Sequence, residues 1–499
     1  MRLTARRAAA LAGAALIGGL TARRLRSRRQ ADLASAAIAS RTRAARNLEI
    51  ARLGASVGSS YATTAARKVF ASAERREALD RERELKTAEA VAERLGQMKG
   101  ALMKLGQMAS YLDEGLPEPM RAALAQLQAG AEPMSAELAA SVIEAELGAP
   151  VSELFVEWDP VPIAAASIGQ VHRALILDPA TGAERAVAVK VQYPGVGDAI
   201  AADLRTADLL GTVLKQGFGG LNPDEMVAEI NDRLVEELDY ASEARNQRAF
   251  ADFYRGHPFI HVPEVVDHLS TTRVLTTDLA DGHRFSEVMD WSQHERNLAA
   301  ETIYRFVFRS LYRFRAFNGD PHPGNYLFRP GGQVTFLDFG LVKYFTVEEM
   351  DAFAEMIDAA VLHPDPQRYR RIVERVGMLQ PGSPVDTDEA GRYFSRFYET
   401  VRDDQVTAWT PEYASSIVRH TFDRTSPIAQ YATVPRAFVF IQRINLGLYA
   451  ILGQLRAEGN YRRIAEEMWP MVSRPPSTPM GELEHEWLSS RTIPSGPTL

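Results

Sequence analysis

No cysteine occurs in the 499 residues. Disulfides, thiolate metal sites and thiol nucleophiles are excluded, and any metal must be held by carboxylate, amide or histidine. The stretch AAALAGAALIGGLTA (residues 8–22), between Arg6-Arg7 and Arg23-Arg24, lacks the ~20 apolar residues of a spanning helix and is diluted by Ala and Gly. Its basic charge on both flanks also departs from a secretory signal. An Ala/Arg-biased leader, a weak membrane anchor and an organelle transit peptide all fit it.

What is present is ordinary for a folded protein, with 46% apolar and 24% charged residues. The length points to two or three units. Charge is unevenly placed. Residues 1–50 hold eleven arginines against Asp32 and Glu49, a net of +9, so the overall −7 leaves −16 for the rest. A basic head on an acidic body suggests an anionic surface as the head's partner. Nucleic acid is not expected, because the head lacks interleaved aromatics.

The pattern predicts a basic leader and helical extension over 1–75, and a second helical extension over 76–133. An N-terminal lobe over 134–277, a helical lobe over 278–471 and a flexible, Pro- and Ser-rich tail over 472–499 follow. In the second segment Leu95, Met98, Leu102, Leu105, Ala109 and Leu112 form an apolar helical stripe, stopped at GLPEP (115–119). Residues 134–148 read as a helix from an N-cap near Ser135 to Gly148. Strands are expected at 168–177 and 186–193 around the turn DPATG, then at HVPEVVDHL and RVLTTDL. Helices are expected near 199–215 and 224–252. Strands first and helices after give an α+β class with two lobes.

Two motifs carry chemistry. GDPHPGN places Asp320 five residues ahead of Asn325, and LDFG places Asp338 at the end of a short hydrophobic strand. One carboxylate that accepts a hydroxyl proton, with a second carboxylate and an amide that hold magnesium, is the apparatus of phosphoryl transfer. Upstream, AVAVKVQY sets Lys190 on a strand, where a cation would touch the phosphates of ATP. That lysine needs a carboxylate, and EELDYASEARN offers Glu237, Asp239 and Glu243. Glu243 is the preferred partner and Glu237 the rival. Glycine is missing where a phosphate-covering loop would want it, since AAASIGQ (164–170) has Ala164, Ala165, Ala166 and Ser167 in that place. Each added Cβ narrows the backbone freedom that lets amides approach phosphate, so this cover should be stiffer.

Together with KLGQ (Lys104, Gly106, Gln107), these motifs resemble the UbiB family of atypical kinases, linked to ubiquinone biosynthesis. The likeness is specific over residues 90–345 and looser to 470. It implies a two-lobed protein-kinase-like fold, with the KLGQ helix packed over the active site and Lys104 near Glu237 and Asp239. It further implies ATP and Mg2+ as cofactors, with Asp320, Lys104 and Gln107 catalytic. Ala164 to Ser167, Lys190, Asp278 and Ala280 would lie at the nucleotide, and Asn325 and Asp338 at the metal. Partners implied are anionic membrane lipid and a quinone-biosynthesis or lipid-metabolic complex, with a dimer as one option. The implied place is cytoplasmic, peripheral at the inner face of a membrane, or the mitochondrial matrix in a eukaryote.

Departures from ordinary protein kinases matter. FNGD stands where His-Arg would precede the aspartate, and no Ala-Pro-Glu follows Gly340. Protein phosphorylation is therefore disfavoured against a lipid, a small molecule or plain ATP hydrolysis. The alternatives are a small-molecule phosphotransferase of the aminoglycoside or choline kinase type and a nucleotide-binding scaffold with little turnover.

Overall fold

Ser135 accepts a hydrogen bond from the amide of Leu138 and so starts the helix Ala136–Leu147; Gly148, at φ 81°, ends it. That start and stop were both expected. The computed structural model describes residues 134–165, 168–197, 238–319, 321–422, 426–432 and 436–490. The leader, the apolar stripe, the 199–215 helix, Lys104, Gln107, Ala166, Ser167, Glu237 and Asp320 lie outside these residues.

The chain divides into two compact units. Of the described residues, those up to Ala244 and Val265–Leu279 make the first. Arg245–Glu264 and the chain from Ala280 make the second. The first holds a four-stranded antiparallel sheet of order β1-β2-β3-β5: β1 Glu157–Ala165, β2 Gly169–Leu177, β3 Glu184–Gln192 and β5 Val274–Asp278. One face of it carries Ala174, Ile176, Val187, Val189, Val191 and Val274, which pack with Val142 and Ile143 of the first helix.

Strand β1 is absent from the expectation because Pro160 and Pro162 argue against a strand. Proline is admitted at a sheet edge, and β1 is the edge strand, with register shifts on both sides of Pro162. Ala164 and Ala165 consequently belong to a strand and not to a loop, opposite Val171 and Gln170. The expected strand HVPEVVDHL is reduced to β4, Ile260–His261, and a short 3-10 turn at Asp267–Leu269. Pro263 has no amide to donate, and its carbonyl accepts from the side chain of Gln247.

The second unit is helical around an aromatic core. Phe306 stacks on Phe336 with ring centres 3.6 Å apart, and Phe253 on Phe314 at 3.9 Å. The helix Tyr240–Tyr254 supplies Phe250 and Phe253 to this core, which is why Arg245–Glu264 leave the first unit. Three small sheets belong here among the described residues, β4 with β8 (Gln333–Phe336) and β7 (Tyr326–Arg329), β6 (Ala316–Asn318) with β9 (Val342–Tyr344), and β10 (Thr407–Ala408) with β11 (Glu458–Gly459).

The tail is not loose as far as Ser490. Helix Pro479–Ser489, capped by Thr478, buries Met480, Glu484 and Trp487. Glu484 lies 2.9 Å from Arg305 and 2.8 Å from Arg309, and Arg305 also meets Glu301 and Glu467, each at 2.8 Å. The segment reads as polar, but its charge answers buried arginines on helix Gln293–Phe314. Among the described residues no helix is long and apolar enough to cross a membrane.

Candidate active-site residues

In the first unit Lys190 projects from β3, a strand held on both sides by β2 and β5. Its ammonium donates to both oxygens of Glu243, at 2.9 and 2.8 Å, and lies 4.9 Å from the centre of the Tyr240 ring. Of the two carboxylates considered for this lysine, Glu243 occupies the place. Glu243 is buried, with its side chain 5% exposed, in the first turn of helix Tyr240–Tyr254. Asp239 accepts from the amide of Ala241 just ahead of that helix. Gln192, two residues beyond Lys190, donates to the carbonyl of Leu238, so the strand also grips the helix entry.

Gly169 permits this arrangement. A Cβ there would sit 2.4 Å from the Val191 carbonyl and 2.7 Å from the Tyr240 hydroxyl. Next to it Gln170, fully buried, exchanges hydrogen bonds with both backbone groups of Met134 and meets His172 at 2.8 Å. Burial pushes the His172 imidazole below its ordinary pKa, against the carbonyl of Asp159. Neither Gln170 nor His172 stood out in the sequence, where a polar pair in strand spacing looks like an outward face.

Asp278 pairs with Arg185 at 2.5 Å, so its carboxylate has a structural reason to be there. Ala280 is half-buried in the segment after β5 and belongs to the second unit.

In the second unit the Asn325 and Asp338 loops are knitted together. Strand β6 pairs with β9, and Gly319 donates to the Leu341 carbonyl at 2.7 Å. The side chain of Asn318 donates to the carbonyl of Asp338 at 2.7 Å, and the amide of Leu337 donates to the carbonyl of Asn325 at 3.0 Å. His322 accepts from Gly324, and the Asn325 amide donates to the His322 carbonyl at 2.9 Å, shaping the turn. Asp338 accepts from the Gly340 amide, and Phe339 is fully buried against Phe250. Asn246 donates to the Phe339 carbonyl and accepts from Tyr344, fastening the loop from the other side.

Asn318 and Asn246 were missed. FNGD reads as lacking an arginine, while its asparagine supplies the tie to Asp338. The half-buried Asn325 and Asp338 offer hard oxygen donors on two bonded loops. That set fits magnesium, which takes one or two carboxylates and completes its shell with phosphate and water.

The ABC1 atypical kinase-like domain matches residues 126–373. The atypical kinase COQ8B, mitochondrial, of Rattus norvegicus is 35% identical over 55% of this chain and 51% of its own length. The probable protein kinase UbiB of Xanthomonas euvesicatoria is 30% identical over 60% of this chain and 57% of its own. The chain thus spans about half the length of these curated relatives. A solved structure described as a complex of Rv3197 with erythromycin, from Mycobacterium tuberculosis, superposes with a TM-score of 0.57 at 31% identity. It covers 78% of this chain and 97% of that one. The two-unit α+β architecture is therefore a protein-kinase-like fold, and the chain belongs to the ABC1 atypical kinase-like family.

Proposed function

We propose that the protein is an atypical kinase or ATPase that binds ATP with magnesium and serves quinone or other isoprenoid-lipid metabolism at a membrane. The observation that carries this is the lysine held by both oxygens of a buried glutamate, at 2.8 and 2.9 Å. A lysine on a rigid strand, oriented by a carboxylate, presents a fixed cation to the α- and β-phosphates. Asn325 and Asp338 would hold magnesium, which neutralises charge on the phosphates when bound. Asp320 would accept the proton of an attacking hydroxyl or water. Lys104 and Gln107, on the KLGQ segment, would restrict access for a peptide. The basic head favours anionic lipid, and likeness to relatives named atypical kinase COQ8B and probable protein kinase UbiB, with the family resemblance to UbiB kinases, favours the metabolic assignment.

The test is magnesium-dependent ATP turnover by the purified chain, with and without anionic liposomes, beside Asp338→Asn. Turnover that rises with liposomes and disappears in the variant is expected. Nucleotide binding without turnover in either condition would replace the enzyme by a scaffold. No binding at all would remove the nucleotide assignment altogether.

A further inference from the structure

Gln170, His172, Ala174 and Ile176 form the buried row of β2, and the first two are polar where the rest of the row is apolar. Both polar residues are fully buried, and the chemistry proposed above uses neither. The Gln170 amide reaches Met134 on one side and His172 on the other. Its Oε1 accepts from the Met134 amide at 2.9 Å, and its Nε2 lies 3.3 Å from the Met134 carbonyl and 2.8 Å from His172 Nε2. Across the ring, His172 Nδ1 lies 2.9 Å from the carbonyl of Asp159 on β1.

Backbone groups at the two ends settle every proton in this chain of bonds. A carbonyl only accepts, so His172 Nδ1 carries the hydrogen. An N–H only donates, so Gln170 turns its oxygen to Met134 and its NH2 to the ring. His172 Nε2 is then the unprotonated nitrogen, and all the groups are matched while the ring is neutral. A second proton would set His172 Nε2–H against the Gln170 NH2. Turning the amide over would relieve that contact, but it would set NH2 against the Met134 N–H and oxygen against the Met134 carbonyl. With a charged ring no orientation of Gln170 serves both neighbours, and a buried donor without an acceptor is costly.

The surroundings keep the ring neutral. The Asp159 carboxylate on β1 favours the proton, but burial outweighs it and holds the imidazole below its ordinary 6.5. Strand β3 sets Val189 opposite the ring, with Lys190 one place on and on the other face. Trp158 stacks on the ring with centres 4.5 Å apart. Arg173 on β2, Glu157 on β1 and Glu137 in the first helix are exposed.

We propose that Gln170 and His172 form a proton-operated latch, which holds Met134, just ahead of the first helix, on β2 while the ring is neutral and releases it when the ring is charged. The latch bears on the Lys190 strand, because Val171, between its two residues, pairs with Lys190. It stands whether or not the chain turns over ATP.

The full chain, labelled with nitrogen-15 in histidine and methionine, is titrated by NMR from pH 7.5 towards acid. At pH 7.5 His172 should show Nε2 as its unprotonated nitrogen. As the ring takes its proton, exchange of the Met134 amide with solvent should quicken roughly tenfold relative to an unstructured peptide at the same pH, the loss of one buried hydrogen bond. His172→Phe keeps a ring against Trp158 and has no proton to take, so this change should vanish. In Gln170→Glu the carboxylate accepts from Met134 and from a charged ring together. Proton affinity of the ring should then rise by about tenfold or more, with Met134 held through the same titration. Three results overturn the proposal: an Nε2–H tautomer at pH 7.5, a ring that stays neutral until the chain unfolds, or Met134 exchange that ignores the titration of the ring. All three are read on the unaltered chain and decide the matter where a variant does not fold.

Discussion

Both carboxylate oxygens of Glu243 lie within 2.9 Å of the Lys190 ammonium, while the lysine itself stays 19% exposed at its side chain. The glutamate is buried and the lysine is not wholly so, which leaves the cation able to meet a further anion. The pair joins β3 to the start of helix Tyr240–Tyr254, so positioning of the cation depends on both elements.

Glu243→Gln keeps the volume and removes the charge that orients Lys190. A hydrogen bond to a charged group contributes about 1.5–3 kcal/mol, so kcat/KM for magnesium-dependent ATP turnover should fall by roughly ten- to a hundredfold. Steady-state kinetics beside a circular dichroism melt checks this. A variant that melts normally and turns over at the unaltered rate would remove Lys190–Glu243 from the site.

Much of this site was readable because it depends on short-range spacing. The turn that carries Asn325 and the strand before Asp338 are local patterns, and the VAVK strand alternates as a half-buried strand should. Choosing Glu243 over Glu237 went beyond spacing, since only a three-dimensional register brings residue 243 to residue 190. The ties by Asn318, Asn246 and Gln170 were illegible for the same reason: an isolated amide carries no periodicity and finds its carbonyl only on folding. The C-terminal segment misled differently. Its acidic and Ser/Pro-rich composition is that of a solvated tail, and the arginines it answers, Arg305 and Arg309, lie about 175 positions away in sequence.

Gly169→Ala should damage both stability and site. The new Cβ would lie 2.4 Å from the Val191 carbonyl, which backbone cannot yield cheaply, and 2.7 Å from the Tyr240 hydroxyl. Overpacking of this kind costs about 1–3 kcal/mol. Because Val191 adjoins Lys190, ATP affinity should weaken along with the melting temperature. Ala165→Gly, on the exposed edge strand, supplies the contrast and should leave the melting temperature within a few degrees. Equal melting temperatures for Gly169→Ala and the unaltered protein would contradict the close packing described.

Glu484→Gln tests the buried charge cluster. Arg305 is fully buried, and loss of the Glu484 charge leaves it and Arg309 incompletely compensated. Removing one partner of such a cluster costs about 3–5 kcal/mol, to be read from urea denaturation midpoints. Truncation after residue 476, which removes the whole helix, should cost at least as much. If both changes leave the midpoint in place, the C-terminal helix is not a fixed part of the second unit.

Acid should weaken the same region through two groups. Burial holds the His257 imidazole below its ordinary pKa of 6.5, although Glu484, 3.7 Å away, pulls the other way. Its Nδ1 accepts from the amides of Phe259 and Ile260, so a proton placed there would face two N–H groups. A base depressed in the folded state binds its proton more readily once unfolded. Its contribution is therefore complete above pH 6.5 and is lost as the pH falls below that value. Burial would raise the Glu484 carboxyl, but Arg309, His257 and Arg305 outweigh it and hold that group well below its ordinary 4.5. This second contribution is present above pH 4.5 and is lost on further acidification through the folded-state value. Stability measured by urea at fixed pH should thus decline from pH 7 to 5 by at most about 1.4 kcal/mol per pH unit for His257. A steeper fall should follow below 4.5. In His257→Gln the first decline should shrink while the second remains, and a profile flat from pH 7 to 4 would refute both assignments.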